Sequence, residues 1–411
     1  MKIFLVIMLV VLVAAAGVTA AICINSGEMS AQPPAQSSGP FGPQPTSEVS
    51  PAATPATPAT QEPAFPAGLE DGGIFFSGYA QAYQKLATLS TEEKVGQMLL
   101  ARFLDENAAD AVRAYHPGGF VLFERDFKEK TKDEVIAVIG SCQEASAISM
   151  IMAVDEEGGT IVRISSNPNL APERFLSPKE IYDAGGLDAV REDAEIKAVL
   201  LVKLGLNLNL APVADVSQNP FDYIYARTLG RGEKETAQYV EAVIAGARSG
   251  GVSSALKHFP GYGNNANTHM GIAVDDRPLS TFEQSDFLPF RAGISAGAEC
   301  VLVSHNIVRC MDPDAPASLS PGVHEILRDE LGFTGLVLTD DLSMDAVRDF
   351  TNGEDPSVRA ALAGNDMLLT SDLEGSYSAL LAAVRSGELP MQTLDRAVLR
   401  ILAMKYTKGL L

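Results

Sequence analysis

The chain is poor in positive charge and in cysteine. Its 411 residues include 31 lysines and arginines against 52 aspartates and glutamates, which gives a formal net charge of −21. This balance disfavours any role that requires binding to nucleic acid phosphates or to anionic lipid. The four cysteines, Cys23, Cys142, Cys300 and Cys310, show no CxxC spacing. Cys300 and Cys310 could pair only if the fold brought their Cα atoms within about 7 Å, so we expect unpaired thiols.

Sequence motifs for bound groups are absent as well. No metal-ligand spacing, phosphate-binding loop or cofactor motif occurs, so we expect no cofactor and no metal, and any chemistry must come from side chains. Hydrophobic residues make up 46% of the chain, enough to bury a large core. We therefore expect one large domain, which we place at residues 73–411.

The amino terminus carries a long uncharged segment. Residues 3–24 are dominated by Val, Leu, Ile and Ala, a length that can cross a hydrocarbon core about 30 Å thick. We interpret residues 1–25 as a membrane anchor or a signal peptide, and we expect the chain to be exported. Small residues at Thr19, Ala20 and Ala21 could serve a signal peptidase, but the apolar run exceeds an ordinary signal core, which favours the uncleaved anchor. The protein would then be held at the extracellular face through this segment only, or be secreted if the segment is cleaved.

Residues 26–72 are rich in Pro, Ser, Thr, Ala and Gln and include PAATPATPAT (51–60). Such a composition has too few large apolar groups to compensate for the entropy of ordering, so we predict a disordered tether. Its prolines would stiffen it and hold the following domain away from a membrane. A spacer without any requirement for reach is equally compatible with the composition.

From residue 73 onward, short apolar runs alternate with amphipathic stretches, which is a βα rhythm. Helices are predicted at segments such as 130–143 and 234–248. Eight strands are predicted at 97–101, 119–123, 150–154, 206–210, 252–256, 300–303, 336–338 and 366–368. An α/β fold of the (β/α)8 TIM-barrel type follows, with a doubly wound open sheet as the main alternative.

Polar residues follow most of these predicted strands. In a parallel barrel, the carboxyl ends of all strands lie on one face, where barrel enzymes carry their catalytic residues. Any one of these residues would more often be a helix cap or a loop anchor, but their repetition favours a site. They are Asp155, Asp215, Lys257, His258, Ser304, His305, Asp340 and Asp341.

The segment KHFPGYGNNANTH (257–269) is the most informative motif. It places a Lys-His pair at a strand end and a second histidine, His269, on a glycine-punctuated loop. A proton-transfer group that must move would need such a loop.

Together these residues resemble glycoside hydrolase family 3 β-N-acetylglucosaminidases, single-barrel enzymes of the kind that trim cell-wall muropeptides. The resemblance covers most of the chain after residue 72 and identifies residues 73–411 as a catalytic barrel of this family's N-terminal type. The matching segments are VDEEGGTIVRI (154–164), LNLNLAPVADV (206–216), ARTLG (226–230), LVSHNIV (302–308), GLVLTDDLSMDAV (335–347) and AGNDMLL (363–369).

The resemblance implies retaining hydrolysis. Asp340, the first carboxylate of TDDLSM, would attack the anomeric carbon to form a covalent glycosyl-enzyme that water later resolves. Proximity to Lys257 and Arg227 would keep Asp340 ionised. The structural alternative for Asp340 is an N-cap for a helix starting near Leu342, a part that Asp341 could take instead.

The resemblance also implies that His269 is the acid/base, because this family uses an imidazole on the loop after the fifth strand. A histidine titrating near ~6.5 can give and take a proton at near-neutral pH. Taken alone, a loop histidine would more often be a surface residue.

This loop departs from the family's pattern at three points. Tyr262 stands where the family has His or Leu, the spacer is one residue shorter, and Asn267 occupies the position of the carboxylate that would form a dyad with the histidine. An amide keeps a hydrogen bond but loses the charge, so we expect His269 to be a weaker acid/base unless Asp275, Asp276 or another carboxylate compensates.

By the same resemblance, Asp155, Arg227, Lys257 and His258 would bind sugar hydroxyls, while Asp215 could be structural. The alternative for Lys257 is an ion pair with Asp155 or Asp215 that only holds the barrel mouth together. Two glycines, at positions 158 and 159, would permit close backbone approach.

Three functions follow from the resemblance. The first is an exo-acting β-N-acetylhexosaminidase that is tethered to a membrane and acts on N-acetylglucosamine-containing cell-wall glycans or muropeptides. The second, suggested by Asn267, is a weakly active or inactive barrel that binds amino sugars or wall fragments. The third, a β-glucosidase of the wider family, is disfavoured because those enzymes usually carry a further sheet domain that supplies an acid, and we expect none here.

Overall fold

The computed structural model of the protein describes residues 73–411, except residues 266, 267, 269 and 270. The predicted anchor or signal peptide (1–25) and the predicted tether (26–72) lie outside the described residues. Among the helices of residues 73–411, none is long and apolar enough to cross a membrane.

A closed parallel β-barrel forms the centre of the described domain. Eight strands run in the order β10-β1-β2-β3-β4-β5-β7-β9, and a parallel bridge between Leu338 and Met367 joins the last strand to the first. This closure confirms the (β/α)8 barrel over the open sheet. All strands of the described chain are β1 Leu99–Arg102, β2 Gly119–Leu122, β3 Ile151–Val154, β4 Leu208–Asn209, β5 Ser253–Phe259, β6 Val274–Asp275, β7 Cys300–Val303, β8 Ile307–Val308, β9 Leu336–Thr339 and β10 Leu368–Thr370.

Helices surround the barrel. The longest, α6, is broken where Gly185 and Gly186 leave helical geometry. The helices are α1 Tyr79–Leu86, α2 Thr91–Gln97, α3 Ala108–Tyr115, α4 Glu124–Phe127, α5 Lys132–Ala145, α6 Pro178–Lys203, α7 Glu233–Gly250, α8 Leu279–Thr281, α9 Phe287–Ala296, α10 Pro321–Glu325, α11 Asp345–Phe350, α12 Ser357–Ala363, α13 Leu373–Ser386 and α14 Met391–Thr407.

Local sequence explains how several of these elements start and why the strands are central. The first turns of α2, α5 and α6 each have a capping box, in which a Ser or Thr and a Glu three residues later exchange hydrogen bonds with the backbone. Every residue of β2, β3, β7 and β9 is buried. These strands are covered by side chains inside the barrel and by helices outside, which is why they read as continuous apolar runs.

All eight predicted barrel strands are present, with shifted ends. The first starts two residues late, because Gln97 still belongs to α2. The pairing of β4 is confined to two residues of the predicted five, and Asp366 precedes β10 instead of belonging to it. The predicted helices 130–143 and 234–248 correspond to α5 and α7. Cys142, Cys300 and Cys310 are unpaired, as expected.

Two buried ionic groups lie at the amino-terminal end of the strands. Asp366 accepts from Arg328 and from Arg400, each at 2.6 Å, and burial lowers the pKa of Arg328 to about 10 despite this carboxylate. Nearby, Lys405 is fully buried near the end of α14 and donates to the side-chain oxygen of Gln97 at 2.7 Å. Burial lowers the pKa of Lys405 to about 7.

Candidate active site

A cavity of about 160 Å³ opens at the carboxyl ends of the strands. Its size suits one small ring better than an extended chain, since sites for drug-sized ligands are typically larger, roughly 300–1,000 Å³. Its polar wall includes most of the predicted site residues. The titratable side chains that line it are Asp155, Arg163, Tyr223, Arg227, Lys257, His258, Tyr262, Asp340 and Asp341.

Two cations in this cavity converge on one buried carboxylate, Glu157. Lys257 Nζ lies 2.6 Å from Glu157 Oε1 and 2.6 Å from Asp155 Oδ1. The guanidinium of Arg227 binds Glu157 through two bonds of 3.0 and 2.7 Å. Burial alone would raise the pKa of Glu157, but Arg227 and Lys257 outweigh it and hold that pKa well below its ordinary range. Glu157 and Arg227 therefore stay charged at neutral pH.

The ion pair considered for Lys257 is present, and the role of this lysine in sugar binding stays a prediction. Lys257 is paired with Asp155, one of the two predicted partners, but its second partner is Glu157 and not Asp215. It also lines the cavity. The ion pair fixes the ammonium group at the cavity wall, so the structural role and a binding role are compatible.

His258 is held from both sides of its ring. Its Nδ1 lies 2.7 Å from Asp215 Oδ2, and its Nε2 lies 3.1 Å from Arg227 Nη2. Because a guanidinium can only donate, Nε2 must accept, and the ring proton sits on Nδ1, where it is donated to Asp215. Asp215 also accepts from the backbone N–H of His258 and of Tyr262. Asp215 thus positions the segment that carries the histidine.

The adjacent aspartates after β9 have separate environments. Asp340 lines the cavity, is half-buried, and accepts the backbone N–H of Asp341 at 2.9 Å. The carboxylate of Asp341 instead accepts from Ser343 N–H and from the hydroxyl of Ser371. The predicted helix start near Leu342 was wrong, since α11 begins at Asp345. Asp341 therefore fixes the turn, and neither aspartate is the N-cap residue of α11.

Tyr262, the first departure from the family's loop, is a buried structural member of the site. Its hydroxyl accepts the backbone N–H of Thr268 at 2.9 Å and lies 3.2 Å from the hydroxyl of that threonine. Burial raises the pKa of Tyr262 to about 12. The tyrosine thereby fixes the residue that precedes His269 in the sequence. His269 and Asn267 themselves lie outside the described residues, so their predicted roles stay predictions.

Two carboxylates, Asp275 and Asp276, were named as groups that could compensate for Asn267, and both bind arginines. Asp275 is buried and accepts from Arg277 through both of its oxygens. Asp276 is exposed and pairs with Arg309 at 2.7 Å. Each carboxylate is therefore already paired with an arginine, and it would have to interact with the histidine in addition to that ion pair.

A tight turn follows the carboxylates after β3, of which Asp155 lines the cavity. Gly158 and Gly159 have φ of 102° and 62°, which disfavour other residues. A Cβ on Gly158 would lie 2.1 Å from the carbonyl oxygen of Leu176, and one on Gly159 would lie 2.6 Å from Cβ of Ser177. The predicted close backbone approach is confirmed.

Glu157 is the functional residue that sequence reasoning missed. The segment Asp155-Glu156-Glu157 offers three neighbouring carboxylates, and spacing alone does not select among them. Glu156 turns to its own loop, where it accepts the backbone N–H groups of Arg163 and Ile164. The balance of charges could have indicated a further carboxylate such as Glu157, because two desolvated cations require more than one carboxylate.

Comparisons with known proteins identify the family of this chain. A family model described as the Glycosyl hydrolase family 3 N terminal domain matches residues 90–404. The chain is 31% identical over 377 residues to the beta-hexosaminidase LpqI of Mycobacterium tuberculosis, covering 89% of this chain and 92% of that protein. The solved structure of M. tuberculosis LpqI aligns with a TM-score of 0.72 at 29% identity, covering 79% of this chain and 96% of that one.

A second solved structure, a glycoside hydrolase family 3 beta-N-acetylglucosaminidase from a Paenibacillus species, aligns with a TM-score of 0.73 at 29% identity. That alignment covers 78% of this chain and 63% of the other. The barrel is thus that of a glycoside hydrolase. The chain belongs to glycosyl hydrolase family 3, which confirms the resemblance inferred from its motifs.

Proposed function

We propose that this protein is an exo-acting β-N-acetylhexosaminidase that releases terminal N-acetylglucosamine from glycans with retention of configuration. Support comes from the family, from the beta-hexosaminidase and beta-N-acetylglucosaminidase relatives, and from a cavity whose volume suits one ring. The observation that carries the proposal is that Asp340 shares this cavity with Asp155, Arg227, Lys257 and His258.

In the first step, an oxygen of Asp340 forms a bond to the anomeric carbon while the bond from that carbon to the leaving oxygen breaks. The leaving oxygen takes a proton from the acid, a role that the family's motif assigns to His269. In the second step, the same imidazole takes a proton from water, whose oxygen attacks the anomeric carbon and releases Asp340. Two inversions restore the original configuration.

The remaining cavity residues would bind the sugar. Lys257 and Arg227 are donors that Glu157 holds in place, and Asp155 is an acceptor that Lys257 holds in place. Groups that are already ordered lose little entropy on binding. His258 contributes through Arg227, because that guanidinium occupies its Nε2.

The natural substrate and the location are part of the same proposal. We propose that the chain is exported, held at the extracellular face by residues 1–25 or secreted after cleavage there, and that it acts on cell-wall glycans or muropeptides. The uncharged run at residues 3–24 and the proline-rich composition that follows support this placement.

The test is hydrolysis of an aryl β-N-acetylglucosaminide and of the matching β-glucoside by the purified protein. The N-acetylglucosaminide should be preferred, and Asp340→Asn should lower kcat by a factor on the order of 10³ or more, because the nucleophile is lost. Asp133→Asn, an exposed change on α5, is the matched control. A slow fluorinated N-acetylglucosaminide should add one sugar mass to the wild type and none to Asp340→Asn.

Two other outcomes would replace the proposal. Saturable binding of N-acetylglucosamine oligosaccharides without release would indicate the binding barrel that Asn267 suggests. A preference for the glucoside would indicate the β-glucosidase.

If Asn267→Asp raises turnover of a substrate with a poor leaving group, the missing dyad charge limits the acid step.

A further inference from the structure

Arg277 contacts the start of the loop that follows β5. Its guanidinium binds Asp275 at 2.8 Å and Asp286 at 3.0 Å, and both carboxylates are almost fully buried. It also donates to the carbonyl oxygen of Gly261 at 3.4 Å. A Cβ on Gly263 would lie 2.6 Å from Cζ of Arg277, so the guanidinium packs directly against the loop backbone. Arginine suits this position because its planar group offers five donors in fixed directions. The two carboxylates therefore hold the guanidinium, and the guanidinium holds the start of the loop.

Tyr262 connects this anchored start with a residue farther along the loop. Its backbone N–H is donated to Asp215 at 2.7 Å, and its carbonyl oxygen accepts Asn265 Nδ2 at 2.8 Å. The same Nδ2 also donates to Asp275 at 2.8 Å. At the other end of the side chain, the Tyr262 hydroxyl accepts the backbone N–H of Thr268 at 2.9 Å. Tyr262 and Thr268 are both buried and both line the cavity. The anchored start of the loop thus reaches the cavity wall through one buried tyrosine.

These contacts bear on one step of the proposed reaction. Thr268 directly precedes His269, to which the family's motif assigns the acid role, and Asn267 leaves the dyad position without a charge. We propose that Arg277 and Tyr262 are positioning residues of the acid step, because they fix the backbone that leads into the acid. The inference rests on the proposed function. A displacement of about 1 Å can lower a rate about 100-fold, so proton transfer should depend on these anchors.

The test compares two leaving groups. Phenyl β-N-acetylglucosaminide needs a proton at its leaving oxygen, whereas the dinitrophenyl substrate leaves without one. Tyr262→Phe removes only the hydroxyl, and Arg277→Lys keeps the charge but loses the fork that reaches Gly261. Each change should lower kcat/KM for the phenyl substrate about tenfold to a hundredfold, and should lower it for the dinitrophenyl substrate by a factor at least about ten times smaller. Tyr115→Phe on α3, and Arg291→Lys on α9, where the arginine also donates to a backbone carbonyl, should change neither.

Azide gives a second measurement, which a mere loss of stability would not change. In the second step, a nitrogen of azide forms a bond to the anomeric carbon while the bond from that carbon to Asp340 breaks. Azide has no proton to give up, so this attack needs no base. Azide should therefore raise kcat for the dinitrophenyl substrate in Tyr262→Phe and in Arg277→Lys, and should not raise it in the wild type.

Amide hydrogen exchange tests the anchor without turnover. A peptide containing Thr268 should exchange faster in Tyr262→Phe than in the wild type, because the Thr268 N–H loses its acceptor. If the wild type hydrolyses neither substrate, the proposed function fails, yet the exchange rate still tests the anchor. Equal losses on both substrates, no response to azide, or unchanged exchange would each overturn the inference. If Arg277→Lys does not fold, Tyr262→Phe decides alone, since it leaves the buried charges in place.

Discussion

Glu157 is the carboxylate on which the two cations of the cavity depend. It is 5% exposed and contacts both Lys257 and Arg227. Buried charges of this kind add little net stability as a complete set, but removing one partner leaves the others desolvated and uncompensated. The residue therefore matters for stability and for ligand binding together.

We predict that Glu157→Gln destabilises the protein by about 3 kcal/mol, since an amide of the same shape leaves two buried cations with too little negative charge. The same change should lower kcat/KM by at least about tenfold, because Lys257 and Arg227 lose their fixed positions. Urea unfolding and steady-state kinetics measure the two effects. Glu283→Gln, at an exposed position, should alter neither. An unchanged unfolding midpoint for Glu157→Gln would show that the cations find other partners.

At the level of single residues, the sequence predicted which side chains lie together in one cavity. It predicted their pairing partners less well. Asp155, Arg227, Lys257, His258 and Asp340 line one cavity, as expected. Their partners could not be read from the motifs, because pairing depends on side-chain distances across the barrel that sequence order does not encode. Lys257 illustrates this limit.

At the scale of elements, apolar runs located all eight barrel strands because each run is buried on both sides. Strand ends were less predictable, since polar residues such as Asp366 are themselves buried beside the strands. The small parallel pair of β6 and β8 was missed. Its strands have two residues each, too short for any periodicity to show.

Lys405, buried in the last helix, should make the stability of the protein depend on pH. Lys405 has a pKa of about 7 in the folded protein because it is buried, against about 10.4 in an unfolded chain. Between these values the unfolded state binds more protons, so this lysine makes stability rise with pH through that window. Its penalty is fully present below pH 7 and absent above about pH 10.5.

We expect Lys405→Met to stabilise the protein by about 2 kcal/mol at pH 7, because the penalty of the buried charge outweighs the lost bond to Gln97. The advantage over the wild type should shrink as pH rises to about 10. Urea unfolding of both proteins across this range measures it. Lys234→Met, at an exposed position on α7, should show no such pH-dependent difference. A constant difference between Lys405→Met and wild type would mean that the lysine has the same pKa in the folded and the unfolded protein.

At the scale of the whole molecule, we propose that residues outside the described domain determine where the enzyme is located. If residues 3–24 insert into a membrane, arginines near their centre should each cost about 2.5–3.5 kcal/mol. We predict that the full chain, expressed in a bacterial host, sediments with membranes. The double variant Leu9→Arg and Leu12→Arg should be recovered in the soluble fraction.

The matched control places the same two arginines in the proline-rich segment, as Ala53→Arg and Ala56→Arg, and should still sediment with membranes. Intact mass separates the two possible fates of the segment. A soluble wild-type protein shortened near Ala21 would show that residues 1–25 act as a cleaved signal, whereas a soluble protein of full mass would contradict both interpretations.

The clasp of Asp366 by Arg328 and Arg400 lies at the opposite end of the barrel from the cavity. Because the barrel strands separate the two ends, substitutions at this clasp can change stability while the cavity at the other end keeps its shape. Directed evolution of the enzyme can therefore vary two separate regions, one to change thermal stability and one to change substrate specificity.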